Sequence, residues 1–448
     1  MTVCLRARAR FVCLAVWGAW FLCWAPGAVL AADPAAWAAE NVEGLVPLYE
    51  HLHRHPELSL REEQTAARIA EEFESAGLEV TRGVGGHGVV GVLSNGDGPR
   101  LLLRTDLDAL PVEEQTGLEY ASSVRAENPD GDGTVGVMHA CGHDLHMTNL
   151  VGVARFLASH RDAWRGTVVF VGQPAEEIVS GARAMLDDGL YRRFGRPDFA
   201  LALHVTPGIP AGMVAYRAGF ALANVDSVDI TVKGTGGHGA QPHTTVDPIV
   251  QAAQLVMALQ TIVSREVSPI EPAVVTVGSI RGGSKHNIIS DECHLQLTVR
   301  SYSSEVRQQI LDAIGRKAKG IAIACGAPEP EIVVTEGTDA VFNDHDLVER
   351  VVPVFRRVLG GQNVVEGPPS MGSEDFGMFA RDGVPVMMFG LGSISPERMR
   401  RLPRPLSLHS SVYYPDVVPT LVTGMTAMSA AALDLLGPGQ ASPSTGAD

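Results

Sequence analysis

Apolar residues recur along this chain in two rhythms, and the change between them marks its organisation. From about residue 32 to Arg217, short apolar runs at Leu101-Leu102-Leu103, Thr167-Val168-Val169-Phe170-Val171 and Phe199-Ala200-Leu201-Ala202-Leu203 alternate with helical spacing at Glu62 to Ala76 and Asn149 to Ser159. Continuous apolar runs of this length fit strands of an α/β sheet covered on both faces. From about Phe220 to Thr335 the order changes to strand Val228 to Lys233, helix Asp247 to Val263, strand Ala273 to Ile280, strand Cys293 to Arg300, helix Glu305 to Ala324 and strand Glu331 to Val334. That β-α-β-β-α-β succession is the split arrangement of a ferredoxin-like domain. The first pattern then resumes with a helix near Asp346 to Leu359 and a strand at Val386-Met387-Met388-Phe389. The predicted fold class is therefore α/β, with a discontinuous first domain over 32–217 and 336–436 and an inserted domain over 218–335. Residues 437–448, rich in Gly, Pro and Ser, read as a disordered tail.

The N-terminus departs from both rhythms. Arg6, Arg8 and Arg10 precede an apolar stretch from Phe11 to Ala25, then Pro26 and small residues through Ala31-Ala32, the order of a secretory signal peptide over 1–31. The apolar part is short for a membrane anchor, so export to the periplasm or medium is expected, with no stable membrane association after cleavage. Cleavage after Ala31 removes the three arginines and takes the formal net charge from −16 to −19. A surface that acidic repels phosphate backbones and anionic headgroups, which argues against nucleic acid as a partner. Cys4, Cys13 and Cys23 leave with the signal, and Cys141, Cys293 and Cys325 remain. An odd set in an oxidising compartment argues against a disulfide framework and for a thiol protected by something else, which a metal would do.

The densest chemistry is His139-Ala140-Cys141-Gly142-His143-Asp144-Leu145-His146, one thiol, three imidazoles and a carboxylate in eight residues. Cys and His are preferred ligands of zinc-like ions, and imidazole with carboxylate also suits manganese, cobalt and nickel, so the cluster points to a metal without choosing it. The competing reading is a reactive cysteine, which leaves the histidines unexplained. In an open α/β sheet functional groups gather beyond the carboxyl ends of the strands. Here those ends lead to Asp106 and Asp108, to the adjacent Glu176 and Glu177, to His204, and to the loop carrying His409. Neighbouring side chains on an extended loop point in different directions, so one glutamate can bind metal while the other faces a substrate water as general base. Asp106 reads as a strand-end turn residue. His146 lies three residues after His143, so on a helix it would share that face, and a supporting role suits it better than ligation.

Together with Arg104 to Pro111, His53 to Ser59, Gln173 to Gly181, Gly236-Gly237-His238-Gly239-Ala240, Met371 to Phe376 and Leu408-His409-Ser410, the cluster resembles the M20 metallopeptidase superfamily. Within it the likeness is to the amidohydrolase branch of hippurate hydrolases, N-acyl-amino-acid hydrolases and plant auxin-conjugate hydrolases. The resemblance implies a zinc-peptidase-like catalytic domain and an inserted domain that serves as lid and dimerisation surface. It implies two divalent ions held by Cys141, His143, Glu177, His204 and His409, with Cys141 as the bridge and Glu176 as general base. Asp108 would orient a histidine ligand, and His238 would reach across a homodimer interface to stabilise the oxyanion. Asn287 and Arg300 are candidates for gripping the substrate, with a surface salt bridge as the competing reading of Arg300, and Ser290 stands where relatives usually carry proline. The function implied is hydrolysis of an N-acyl-amino acid or short peptide, with a dipeptidase or carboxypeptidase, and a catalytically dead binding protein, as rivals.

Overall fold

The structure, a computed structural model, describes residues 32–129 and 131–437. The signal-peptide reading of 1–31 and the tail reading beyond 437 fall outside the described residues. Four parallel strands form the heart of an eight-stranded sheet, in the spatial order Gly166–Gln173, Arg100–Asp106, Phe199–Pro210 and Val386–Ile394. They are the four apolar runs of the sequence, extended at their ends. Nearly every residue in Arg100–Asp106 and Gly166–Gln173 is buried, so the sequence runs apolar instead of alternating. An antiparallel hairpin, Glu79–Val84 and Gly88–Asn95, extends one edge, and the three-residue strands Val214–Tyr216 and Val364–Glu366 extend the other.

Helices cover both faces. Val46–Arg54, Glu63–Ser75, His143–Ser159, His345–Leu359 and Val417–Leu435 close the larger core, which contains Leu101, Leu103, Val168 and Phe389. Gly181–Asp187, Leu190–Phe194 and the short turns of Asp375–Gly383 close the other face over Leu102, Val169 and Met388. Two of these helices differ from expectation. The helix expected from Asn149 begins at His143, and every residue from His143 to Ala154 is buried. A helix buried all round has no amphipathic stripe, which hid its first turns. Val417–Leu435 is long and apolar enough to cross a membrane by length and composition, although the sequence reads as holding no apolar stretch of that length after its N-terminus; 67% of its apolar window is buried inside the protein, as a core helix requires.

The insertion folds as its rhythm predicts. Asn224–Lys233, Ala273–Gly282, Glu292–Ser301 and Glu331–Thr338 pair antiparallel in the order second, third, first, fourth, with Pro248–Thr261 and Ser304–Ala324 packed on them. Inward residues Val228, Ile230 and Val232 alternate with more exposed neighbours, so this sheet has one covered face and its own core.

Candidate metal centre

The carboxyl ends of the parallel strands deliver the polar groups to one place. Register sets Asp106 beside Gln173, and His204 beside Gly390. Gly142 joins Cys141 to the helix that starts at His143, and does so at φ +81°, where a β-carbon would also meet Val205 at 2.6 Å. Glycine is required between thiol and imidazole for both reasons. Cys141 Sγ then lies 3.4 Å from His204 Nε2.

The ring nitrogens are sorted by their outer partners. His143 Nδ1 donates to the backbone carbonyl of Asp108 at 2.8 Å, which leaves Nε2 with a lone pair. Likewise His204 Nδ1 donates to the carbonyl of Val205 at 2.8 Å, leaving Nε2 free to bind. His143 Nε2 is 3.7 Å from Glu177 Oε1, and His409 Nε2 is 3.5 Å from Glu177 Oε2. His143 Nε2 and Glu177 Oε1 are buried and have no hydrogen-bond partner among the described residues. Orphaned atoms of this kind are costly unless a ligand completes them. Ligand atoms of Cys141, His143 and His204 lie within 4.8 Å of one another, and so do those of Cys141, Glu177 and His409. These residues fit the divalent ions that the donor set implies.

Electrostatics favours that reading over a nucleophilic thiol. Burial, then the Glu177 and Glu176 carboxylates, push the Cys141 thiol well above its ordinary range, whereas a free nucleophilic thiolate needs positive neighbours. Burial depresses His143, but Asp106, the Asp108 hydrogen bond and Glu177 outweigh it and lift the imidazole to about 10. The cluster is short of positive charge, which divalent ions supply.

Asp106 is not the turn residue expected. It is fully buried, accepting from His146 Nδ1 at 2.8 Å and from Arg104 Nη1 at 2.7 Å. A lone aspartate after an apolar run gives no sign of His146, its partner on another element. His146 Nε2 accepts the Val205 N–H at 2.9 Å, so both ring nitrogens are engaged. Sequence reasoning gave no role to Arg104, which also donates to Gln173 Oε1 at 2.8 Å and to Glu374 Oε1 at 2.7 Å. The available signal was a cation inside a buried strand, which must be paired to be tolerated. His53 was also passed over; it is clamped between Asp144 at 2.7 Å and Glu114 at 3.1 Å, and steadies the first turn of the helix behind Cys141.

Glu176 and Glu177 sit on a tight loop held at both ends. Asp108 Oδ2 accepts the Glu177 N–H at 3.0 Å and the Ser59 hydroxyl at 2.6 Å. Glu62 Oε1 accepts the Ala175 N–H at 2.8 Å and the Leu60 N–H at 3.0 Å. Ala175 has φ +52° and Leu60 φ +65°, conformations that cost an L-residue about 1–2 kcal/mol each. Burial and then Glu374 and Glu177 push Glu176 well above the usual carboxylate range.

A cavity of about 730 Å³ opens over Cys141, Glu176, Glu177, His204 and His409, with Leu222, Arg300 and Phe389 also in its wall. That volume suits a small molecule. Arg300 donates to the Met371 carbonyl at 2.9 Å and to Ser373 Oγ at 3.3 Å, both neutral partners. His238 and Asn287 are not brought there by their own chain. His238 lies exposed on the ribbon that pairs Gly237–His238 with Ile288–Ile289, and Asn287 is exposed beside it.

Comparison with known proteins agrees with this geometry. The profile of peptidase family M20/M25/M40 matches residues 102–403. An N-acetylcysteine deacetylase of Bacillus subtilis is 34% identical over 359 residues, 79% of this chain and 89% of the relative. Thermostable carboxypeptidase 2 of Saccharolobus solfataricus is 34% identical over 358 residues, 79% of this chain and 87% of the relative. A solved Bacillus subtilis dinuclear metal-binding peptidase from the M20 family superimposes with a TM-score of 0.73 at 29% identity, covering 90% of this chain and 98% of that one.

Proposed function

The chain belongs to peptidase family M20/M25/M40 and is a metal-dependent amidohydrolase or peptidase; on that premise we propose that it hydrolyses the amide bond of N-acyl-amino acids. The observation that carries the reading is the contrast between two adjacent carboxylates. Glu177 approaches both His143 and His409, whereas Glu176 approaches His143 only, at 3.9 Å, and lies with Glu374 and Asp375. Cys141, His143, Glu177, His204 and His409 would hold two divalent ions (manganese, zinc, cobalt or nickel), which lower the pKa of a water and polarise the scissile carbonyl. Glu176 takes the proton of the attacking water on its carboxylate and returns it to the leaving nitrogen. Asp108 holds the His143 ring and the Glu177 backbone in place.

Arg300 reads the free carboxylate of the leaving amino acid, since its neutral partners leave its charge available. His238 serves the site of a second subunit in a homodimer, a reading supported by its exposure. Ile249, Val250 and Met257, 40%, 52% and 70% exposed on the same domain, offer an apolar contact surface. Mixed His238→Ala and Glu176→Gln chains that exchange subunits should regain activity; exchange without recovery removes His238 from the partner's site. The basic, apolar, small-residue order of the N-terminus supports export.

The test of the substrate class is a panel assay on metal-loaded protein. Free amino acid released faster from N-acyl-amino acids than from dipeptides supports the proposal. Faster cleavage of dipeptides replaces it with a peptidase, the reading that the carboxypeptidase relative favours. No turnover of either leaves a binding protein.

A further inference from the structure

Glu62 belongs to no metal cluster among the described residues, yet its side chain is fully buried and Oε1 spans two loops. One of the N–H groups it accepts belongs to Leu60, the other to Ala175, the residue immediately before Glu176. Both donors have left-handed backbone conformations without being glycine, at φ +65° and +52°. The carbonyl of Ala175 is held separately by the N–H groups of Ser180 at 3.1 Å and Gly181 at 3.2 Å. On the far side of Glu176, the next N–H in the chain is bound by Asp108. Glu176 therefore stands between two peptide groups, each fixed by a buried carboxylate. Ser59, on the same loop as Leu60, braces Asp108.

We infer that Glu62 is a positioning residue for hydrolysis: its carboxylate holds Ala175 in the left-handed conformation and thereby sets the aim of the Glu176 side chain. The inference rests on the reading of Glu176 as the proton carrier. Side chains held in strained backbone cluster where geometry matters to function, and here the strain lies next to the reacting carboxylate. A carboxylate displaced by about 1 Å from its proton can cost on the order of 100-fold in rate.

Four variants test this: Glu62→Ala, Glu62→Gln, Glu62→Ala with Ala175→Gly, and Glu176→Gln as reference. For each, kcat, KM and bound metal are measured on folded, metal-loaded protein. Glu62→Ala should lower kcat on the order of 100-fold with KM and metal content unchanged. Glu62→Gln should recover most of the rate, because its amide oxygen still accepts both N–H groups. The double variant should recover part of it, because glycine adopts φ +52° unaided. A merely structural role would leave kcat per folded molecule unmoved in all three. Should the alanine chain not fold, Glu62→Asp, which withdraws the oxygen by one methylene, takes its place with the same expected loss.

Full kcat in Glu62→Ala, or a glutamine variant as slow as the alanine one, overturns the inference. Loss of metal in step with loss of rate also overturns it, since that assigns Glu62 to the metal site. A slow Glu176→Gln beside a fast Glu62→Ala overturns the positioning role alone. A fast Glu176→Gln overturns the proton-carrier reading and the inference with it.

Discussion

His146 donates through Nδ1 to Asp106 Oδ1 at 2.8 Å, and that bond decides what the third histidine of the cluster does. With Nε2 accepting the Val205 N–H, the ring has no lone pair left for a cation. It ties the helix carrying His143 to the strand carrying His204. His146→Ala should therefore weaken metal binding about 10- to 100-fold without changing the number of ions bound at saturation. Isothermal titration of metal-free protein measures both quantities, and a lost equivalent would make His146 a ligand.

The neighbouring glutamates should fail differently. Glu176→Gln keeps the shape of the side chain and removes proton transfer, so kcat should drop at least ~100-fold with metal retained. Glu177→Gln removes a carboxylate that approaches both His143 and His409, so metal should be lost first. Elemental analysis of the two purified variants separates these outcomes, and equal metal loss would contradict the assignment.

Stability should fall on the alkaline side through His53. Burial depresses this imidazole, but the hydrogen bonds to Asp144 and Glu114 outweigh burial and raise it from 6.5 to about 9. A raised folded-state pKa means that the native state holds a proton the unfolded chain releases. The contribution is thus complete below about pH 6.5, is lost as pH rises through about 9, and amounts to ~3 kcal/mol at most. Urea unfolding from pH 6 to 10 should show this decline in the native sequence and a flatter profile in His53→Gln; parallel profiles would contradict the clamp.

What the sequence disclosed and what it hid follow from how far each signal reaches along the chain. The four central strands were legible because strands buried on both faces must be continuously apolar. The insertion was legible because one covered face alternates. The donor atoms converge because strand ends in an α/β sheet share one side, which needs no knowledge of the partners. Arg104 and Glu62 were not legible, because burial of a charge is decided by groups such as Glu374 and Ala175, more than a hundred residues away, and Asp106 was not, because His146 reaches it from another element. Glu62 read only as the first residue of a helically spaced stretch, and Arg104 only as the first residue of a motif. The first turns of His143–Ser159 escaped because a stretch buried on all sides carries no period to detect, and Val417–Leu435 because most of its surface is buried and its apolar stripe is correspondingly broad.

The central claim is that Cys141 holds metal and is not a nucleophile. Metal-free protein titrated with a divalent ion, while hydrolysis and alkylation of Cys141 are followed together, tests it most directly. The account predicts no hydrolysis without metal, full hydrolysis on add-back, and protection of Cys141 over the same titration. Hydrolysis that persists in metal-free protein, and is lost on alkylation of Cys141 alone, would contradict it.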